Sequence, residues 1–374
     1  MKVLLALGAL LMTVFAGAAV PAERPLAVIT VAAVGDIMMG SDHPDVKLPP
    51  NDGIGIFDGV QDALRGADIV FGNLEGPLLD GGASTKCETM TYCFAFRTPT
   101  RYVRYLQESG FNVLGIANNH ANDFGEKGRE STLRTLVAAG IQPAGGTAVA
   151  LFNIRGRSVV VAGFSYSTSA PYSFNLLDIA GAKRIVRDLK ARHDIVIVSF
   201  HGGAEGRSAQ HVPGKPEVYV GERRGDVMAF AHAVIDAGAA MVIGHGPHVV
   251  RALELYKGKL IAYSLGNFLT YERFNLEGAS GRSFVLQARL DADTGEFVGG
   301  QAVSVRLVNE GIPERDPEQQ AAGLVRRLTQ QDIPNANITI AEDGTLAPRH
   351  FSAVKKDQGS GRDSPIGRPK ARPR

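Results

Sequence analysis

The chain has 374 residues, 44% of them hydrophobic and 21% charged, which fits a folded globular protein and excludes wholesale disorder. The formal net charge of +2 is unevenly placed: Lys355 to Arg374 holds seven Lys/Arg against two Asp/Glu, a surplus of +5 that leaves −3 for the rest. A basic surplus confined to the tail argues against a nucleic-acid-binding body.

Residues 1–22 read as a signal peptide. Lys2 supplies the positive start, Val3 to Phe15 the apolar run, and Ala16-Gly17-Ala18 and Val20-Pro21-Ala22 the small residues of a cleavage site. No cysteine follows that run, so a lipid anchor is not expected. The run is short for a membrane span. The expected location is extracytoplasmic, periplasmic or secreted, with an uncleaved N-terminal anchor as the alternative.

Strand and helix patterns then alternate. Leu26 to Val34 is a buried-strand pattern ending at Gly35-Asp36. Asp62 to Gly66 reads as a helix end, and Asp68 to Gly72 as a strand running out at Asn73-Leu74-Glu75. In the Thr/Gly-rich segment that follows, Cys87 and Cys93 sit close enough for a local disulfide in an exported protein, with metal binding as the weaker reading.

Arg101 to Ser109 is a helix, and Phe111 to Ala117 a strand ending at Asn118-Asn119-His120. Lys127 to Ala139 is a helix closed by Gly140. Ser158 to Phe164 (strand), Ala180 to Arg192 (helix) and Asp194 to Phe200 (strand) lead to His201. Arg224 to Ala237 is a helix closed by Gly238, and Ala239 to Ile243 a strand that stops at Gly244-His245-Gly246-Pro247-His248. Lys259 to Ser264 is a strand ending at Leu265-Gly266-Asn267. Ser283 to Leu290 and Ala302 to Val308 flank the turn at Asp293-Thr294-Gly295. Glu318 to Gln330 reads as one further helix. The alternation predicts an α/β fold with largely buried sheets, one domain over 26–310, a C-terminal extension over 311–354 and a disordered basic tail over 355–374.

Chemistry gathers where these strands end. Asp36, Glu75 with Asn73, Asn119 with His120, His201, and His245 with His248 each follow a buried strand. In open α/β folds ligands collect at the carboxyl ends of the strands, so five such endings predict one convergent polar site. Carboxylate, amide oxygen and imidazole without thiolate suit manganese, zinc or iron. Taken singly, Asp36 also reads as a cap or turn residue, Glu75 as part of a turn, and His120 as a packed histidine. Asp123 and Glu126 read as helix caps. His43, His193, His211, His232 and His350 read as surface or core residues.

At these residues the sequence resembles the CapA family of bacterial capsule-synthesis proteins tied to poly-gamma-glutamate. The matching stretches are AVGDIMMG at 33–40, FGNLEGPL at 71–78, GIANNHANDFGEKG at 115–128, HGGAE at 201–205 and IGHGPHVVRALELYKGKLIAYSLGNFL at 243–269. The family resembles calcineurin-like metallophosphoesterases, which implies a two-sheet sandwich flanked by helices, a four-layer αββα arrangement. The resemblance implies one or two divalent ions. Asp36 would bind the first ion with His248, and Glu75 (or Asn73) would bridge. Asn119, His201 and His245 would bind the second, with His120 as proton donor or transition-state contact. Asn267 would line the pocket or shape a turn. Two departures stand out: Met38 occupies the place of a histidine two residues after the first aspartate, and Gly202-Gly203 replaces an aromatic after His201.

Two functions follow as expectations. One is an exported metal-dependent hydrolase acting on a phosphoester or a gamma-glutamyl amide in capsule-type polymer synthesis or export. The other is a non-catalytic binding or assembly component that uses the fold as a scaffold. The expected partners are an anionic polymer or cell-envelope substrate and a membrane polymer-synthase complex, with no nucleic acid. The basic tail reads either as solvated disorder or as a hold on anionic polymer, cell wall or lipid headgroups.

Overall fold

The structure is a computed structural model that describes residues 27–84, 86–87, 93–167 and 171–349. The expected signal peptide at 1–22, the tail at 355–374 and His350 lie outside the described residues. The first half of the fold runs β1 (Val28–Met38), α1 (Gln61–Leu64), β2 (Ile69–Leu74), α2 (Val103–Glu108), β3 (Val113–Gly115), α3 (Gly125–Ala138) and β4 (Gln142–Ala144). The second runs β5 (Ala150–Ile154), β6 (Arg157–Ser165), β7 (Phe174–Asn175), α4 (Ile179–Lys190) and β8 (Ile195–His201). A small hairpin of β9 (Glu217–Tyr219) and β10 (Glu222–Gly225) precedes α5 (Val227–Asp236) and β11 (Met241–His245). Then come β12 (Leu253–Tyr256), β13 (Lys259–Ala262), β14 (Asn267–Thr270), β15 (Arg282–Asp291) and β16 (Phe297–Val308). The described chain closes with β17 (Ile312–Arg315), α6 (Gln320–Asp332), β18 (Ile338–Ile340) and β19 (Thr345–Pro348).

Two sheets result. The first has the order β18-β19-β16-β15-β1-β2-β3-β4, with β14 also paired to β1 and β17 to β16. The second has the order β12-β13-β11-β8-β6-β5, with β7 on β6. The centres of both, β1 to β4 and β6-β8-β11-β13, are parallel, as crossover helices require.

Alternation along β1 shows how the layers stack. Ile29, Val31 and Ala33 belong to the same buried cluster as Val159 to Ala162 of β6 and Met241 to Ile243 of β11. Ala32 and Val34 belong instead to a cluster with Tyr102, Tyr105, Leu106 and Leu136. Successive side chains of a strand point to opposite faces, so one face of β1 meets the second sheet and the other meets α2 and α3. Phe230, Ala231 and Val234 of α5 and Ala182 and Val186 of α4 cover the second sheet. The architecture is the expected α/β, four-layer αββα sandwich.

Some boundaries move, for physical reasons. The first strand continues past Gly35-Asp36 to Met38, because β14 pairs alongside its far end. The fifth helix starts at Val227, not Arg224, because Glu222–Gly225 is taken up by the hairpin and the Asp226 side chain caps the helix through the Ala229 N–H at 2.9 Å. Beyond Val308 the periodicity is weak because the strands are only three or four residues long. They nevertheless extend the first sheet, and α6 packs against β12, β15 and β16. Among the described residues no helix is long and apolar enough to cross a membrane.

Candidate metal centre

Strand register brings the polar strand ends together. On β1, Asp36 stands opposite Asn73 of β2 and Asn267 of β14. In the second sheet His201, the last residue of β8, stands opposite His245, the last residue of β11. Glu75 follows β2, and Asn118-Asn119-His120 follows β3. One ligand atom each from Asp36, Glu75 and His201 lies within 4.8 Å of the others, and all three residues are buried.

Local sequence explains how Asp36 is aimed. The pairing of β1 breaks register beside Asp36 on both sides, a bulge-like irregularity that turns a side chain out of the regular alternation. Gly35 is needed there: a Cβ on it would come 1.9 Å from the Gly266 carbonyl oxygen, which already accepts from the Asp36 N–H at 3.0 Å. In the last loop, His248 has φ 57°, a left-handed backbone that a non-glycine residue adopts at a cost. That turn swings His248 back toward Asp36. The Gly202-Gly203 pair marks a close crossing: the Gly202 N–H donates to the His245 carbonyl at 2.9 Å, and a Cβ on Gly246 would strike Gly202. Tyr166, stacked on His201 at 6.2 Å, is the aromatic neighbour of that histidine.

Hydrogen bonds divide these residues into committed and uncommitted groups. Asn73 Nδ2 donates to Asp36 Oδ1 at 2.8 Å and lies 3.4 Å from His201 Nδ1. Asn118 Nδ2 donates to Asn73 Oδ1 at 3.1 Å and to the Leu74 carbonyl at 2.8 Å. Asn73 therefore serves as an orienting link. His248 Nδ1 faces Asp36 Oδ2 at 2.9 Å, and its Nε2 lies 3.5 Å from Glu75 Oε1, so both ring nitrogens face carboxylates. His245 Nε2 donates to the Val34 carbonyl at 3.0 Å. Asn267 Nδ2 donates to the Ser280 carbonyl at 3.1 Å.

Several polar atoms of these residues are left over, and among the described His, Cys, Asp and Glu residues Asp36, Glu75 and His201 are the ones whose ligand atoms all come within 4.8 Å of one another. Both oxygens of Glu75, His201 Nε2, His245 Nδ1, Asn119 Oδ1 and Asn267 Oδ1 are buried without a hydrogen-bond partner. Buried polar atoms are normally satisfied, and a buried carboxylate without partners is costly. Two carboxylate oxygens, imidazole nitrogens and amide oxygens suit a divalent cation such as manganese, zinc or iron. The residues present thus fit a metal. Met38 is buried and outside the hydrophobic clusters, and a thioether is a poor ligand for a hard ion.

The electrostatics agree. Burial pushes the Glu75 carboxyl well above its ordinary range, against the opposing charge of His248. Burial acts on Asp36 in the same sense, but the hydrogen bond and charge of His248 outweigh it and bring Asp36 down to about 2. Burial disfavours the charge on His248, but Glu75 and Asp36 raise it to about 10. His248 is therefore held as a cation, hydrogen-bonded to the Asp36 carboxylate with Glu75 beside it. Burial lowers His201 and His245, which keeps both as neutral imidazoles.

His120 sits at the edge of this cluster. Its Nδ1 faces Asp123 Oδ2 at 2.8 Å, and its ring stacks on Phe96 at 4.3 Å. Burial lowers its pKa, partly offset by Asp123. Asp123, read from sequence as a helix cap, is fully buried and orients His120 instead. A carboxylate three residues after the histidine was the available signal. Lys86 was missed too: its Nζ contacts Asp123 and lies 3.3 Å from the Asn119 carbonyl. Cys87 and Cys93 are joined in a disulfide.

The other histidines lie elsewhere. His43 packs edge-on against Phe124, His193 meets Ser158, His211 meets Asp332, and His232 stacks on Tyr256 beside Glu254.

Comparison with known proteins adds a family. The model of the bacterial capsule synthesis protein PGA_cap matches residues 30–272. The capsule biosynthesis protein CapA of Bacillus anthracis is 30% identical over 261 residues, covering 64% of this chain and 59% of that protein. The PGA biosynthesis protein CapA of Bacillus subtilis (strain 168) is 27% identical over 257 residues, covering 65% of this chain and 63% of that protein. The matched region thus spans less than two thirds of either relative. Among solved structures, a phosphatase of Mycoplasma pneumoniae superposes with a TM-score of 0.47 at 14% identity, over 78% of this chain and 96% of that one.

Proposed function

The chain belongs to the PGA_cap family of bacterial capsule synthesis proteins, and from that premise we propose that it is a divalent-metal-dependent hydrolase of capsule-type polymer synthesis. The bond it cuts is a phosphoester or a gamma-glutamyl amide. It acts outside the cytoplasm on an anionic polymer or cell-envelope substrate, alongside a membrane polymer-synthase complex. One observation carries the reading: Glu75 is fully buried with neither carboxylate oxygen hydrogen-bonded, beside Asp36 and His201.

Asp36, Glu75 and His201 would hold the ion, with His245 Nδ1 and Asn119 Oδ1 as the further free donors. When bound, such an ion supplies Lewis acidity toward a phosphoryl or acyl oxygen. The chain's own residues supply the rest. Asn73 and Asn118 hold Asp36 and the strand ends in register. His120, its Nδ1–H held by Asp123, would present Nε2 as the atom that takes a proton from the attacking water and passes it to the leaving group, with the Asp123 carboxylate supporting the imidazolium in between.

A second reading, a scaffold that binds polymer without cleaving it, draws on Met38 and His248. With both nitrogens of His248 facing carboxylates and a thioether at Met38, the first ion position has no free imidazole among the residues assigned to it. Metal analysis of the purified protein, joined to a screen of phosphoesters and gamma-glutamyl peptides, separates the two. Bound manganese, zinc or iron with turnover supports the hydrolase. Absence of metal, with no activity on adding ions, overturns it in favour of the scaffold.

A further inference from the structure

The two legs of the Cys87–Cys93 disulfide hold one buried carboxylate between them. The bridge spans a sequence separation of 6 with the Cα atoms 5.4 Å apart. On the incoming leg, Lys86 Nζ contacts Asp123 Oδ1 and lies 3.4 Å from His120 Nδ1, and Ser84 Oγ donates to the Asp123 carbonyl at 2.6 Å. On the outgoing leg, the Phe96 N–H donates to Asp123 Oδ2 at 2.7 Å. That same oxygen faces His120 Nδ1 at 2.8 Å, and the Phe96 ring stacks on the His120 ring at 4.3 Å with 29° between planes. Cys87 itself packs against Leu79, Ala95 and Phe124, the last being the neighbour of Asp123.

A loop this short yields little stabilisation from restricting the unfolded chain, because loop-closure entropy grows with loop length. The contacts of Ser84, Lys86 and Phe96, which flank the bridge, instead converge on one pair of side chains. Asp123 is fully buried, and among the described residues Lys86 and His120 are its ion-pair partners. With Oδ1 taken by Lys86 and Oδ2 by Phe96 N–H and His120, the carboxylate has one orientation, and so has the imidazole.

We infer that the Cys87–Cys93 bridge is a positioning device: it fixes its flanking residues Lys86 and Phe96 on Asp123, and through Asp123 it fixes the ring and tautomer of His120. This inference rests on the reading of His120 as the proton donor. Lys86 is thereby a positioning residue, and the disulfide belongs to the working site as well as to the stability of the loop.

The test uses the full chain, a Cys87→Ser/Cys93→Ser variant, Lys86→Met with the bridge intact, and Lys86→Arg. The first readout is the His120 imidazole in metal-free protein, followed by nitrogen NMR and assigned with His120→Gln. The wild type is expected to show a slowly exchanging Nδ1–H. In the Ser/Ser and Lys86→Met variants that proton exchanges about tenfold faster or more, as local protection is lost. Lys86→Arg restores it. The second readout is kinetic, with bis(p-nitrophenyl) phosphate and manganese. The two disruptive variants lower kcat on the order of 10- to 100-fold with KM little changed.

Unchanged exchange in both disruptive variants overturns the inference. So does a fall in kcat with the Nδ1–H still slow, which would place Lys86 on the substrate. If the Ser/Ser variant fails to fold, Lys86→Met decides. If wild-type protein cleaves no ester, the hydrolase reading fails on its own, and the exchange measurement still judges the positioning role.

Discussion

His245 of the second sheet donates its Nε2 proton to the carbonyl of Val34 in the first, at 3.0 Å. That bond fixes the tautomer and leaves Nδ1 as a buried lone pair without a partner. A ligating histidine characteristically gives its other nitrogen to such an acceptor. His245→Ala is expected to lower bound metal by about tenfold or more. It should also cost about 1–3 kcal/mol, because the Val34 carbonyl loses its donor. Elemental analysis after dialysis, with a thermal melt, checks both. A variant that keeps its full metal content would remove His245 from the site.

Glu75 makes the opposite stability prediction. Burial disfavours the charge on Glu75 and pushes its carboxyl well up, so without metal the fold gains little from that charge and an amide of the same shape replaces it well. Glu75→Gln should therefore change metal-free stability by less than about 1 kcal/mol. It should also abolish the rise in melting temperature that added manganese or zinc gives the wild type, since that rise measures binding to the folded state. A loss of several kcal/mol without metal would instead make Glu75 a structural partner.

Metal uptake should release protons. Glu75 has a raised pKa, so protons compete with an ion for its carboxylate up to a higher pH than for an ordinary glutamate. His201 and His245 have lowered values and bind as neutral rings with none to lose. The sign follows: affinity rises with pH. Calorimetric titration of metal-free protein in two buffers of different ionisation enthalpy measures the released proton directly. Equal heats in both buffers would contradict the assignment.

The strand-end rule made much of the candidate site legible because the apolar runs of β1, β2, β8 and β11 are interrupted or ended by Asp36, Glu75, His201 and His245. Their pairing register then does what sequence order cannot show, setting Asp36 against Asn73 and His201 against His245. Asp123 reads as a cap because an acid before a helix has that local pattern, which masks its spacing of three residues from His120. Only the fold shows its side chain turned onto His120 and the Phe96 N–H. Lys86 was illegible for a similar reason, since it reaches the site across 37 residues of sequence from Asp123. The short strands β17, β18 and β19 carry too few residues for a period to register, and they form by pairing at the edge of a sheet already built.

Arg251 tests how the histidine loops are held apart from any metal. It is fully buried, and its guanidinium meets Glu217 in a two-pronged pair at 3.0 and 2.7 Å. Its Nε donates to the Ala209 carbonyl at 2.7 Å and Nη2 to the Ala204 carbonyl at 3.2 Å, while Ala204 N–H donates back to Glu217 at 3.0 Å. One side chain three residues after His248 thus anchors the segment that follows His201. Removing one partner of a buried pair strands the other charge, so Arg251→Ala is expected to cost about 3–5 kcal/mol. The double change Arg251→Met/Glu217→Leu strands neither charge and should recover much of that loss. If the histidine loops depend on this anchor for geometry as well as stability, the double variant regains its melting temperature but still binds metal more weakly than the wild type. Denaturant unfolding and metal titration of the three proteins check this. Full recovery of both would limit Arg251 to stability, and equal loss in single and double variants would show that the pair is not what holds the segment.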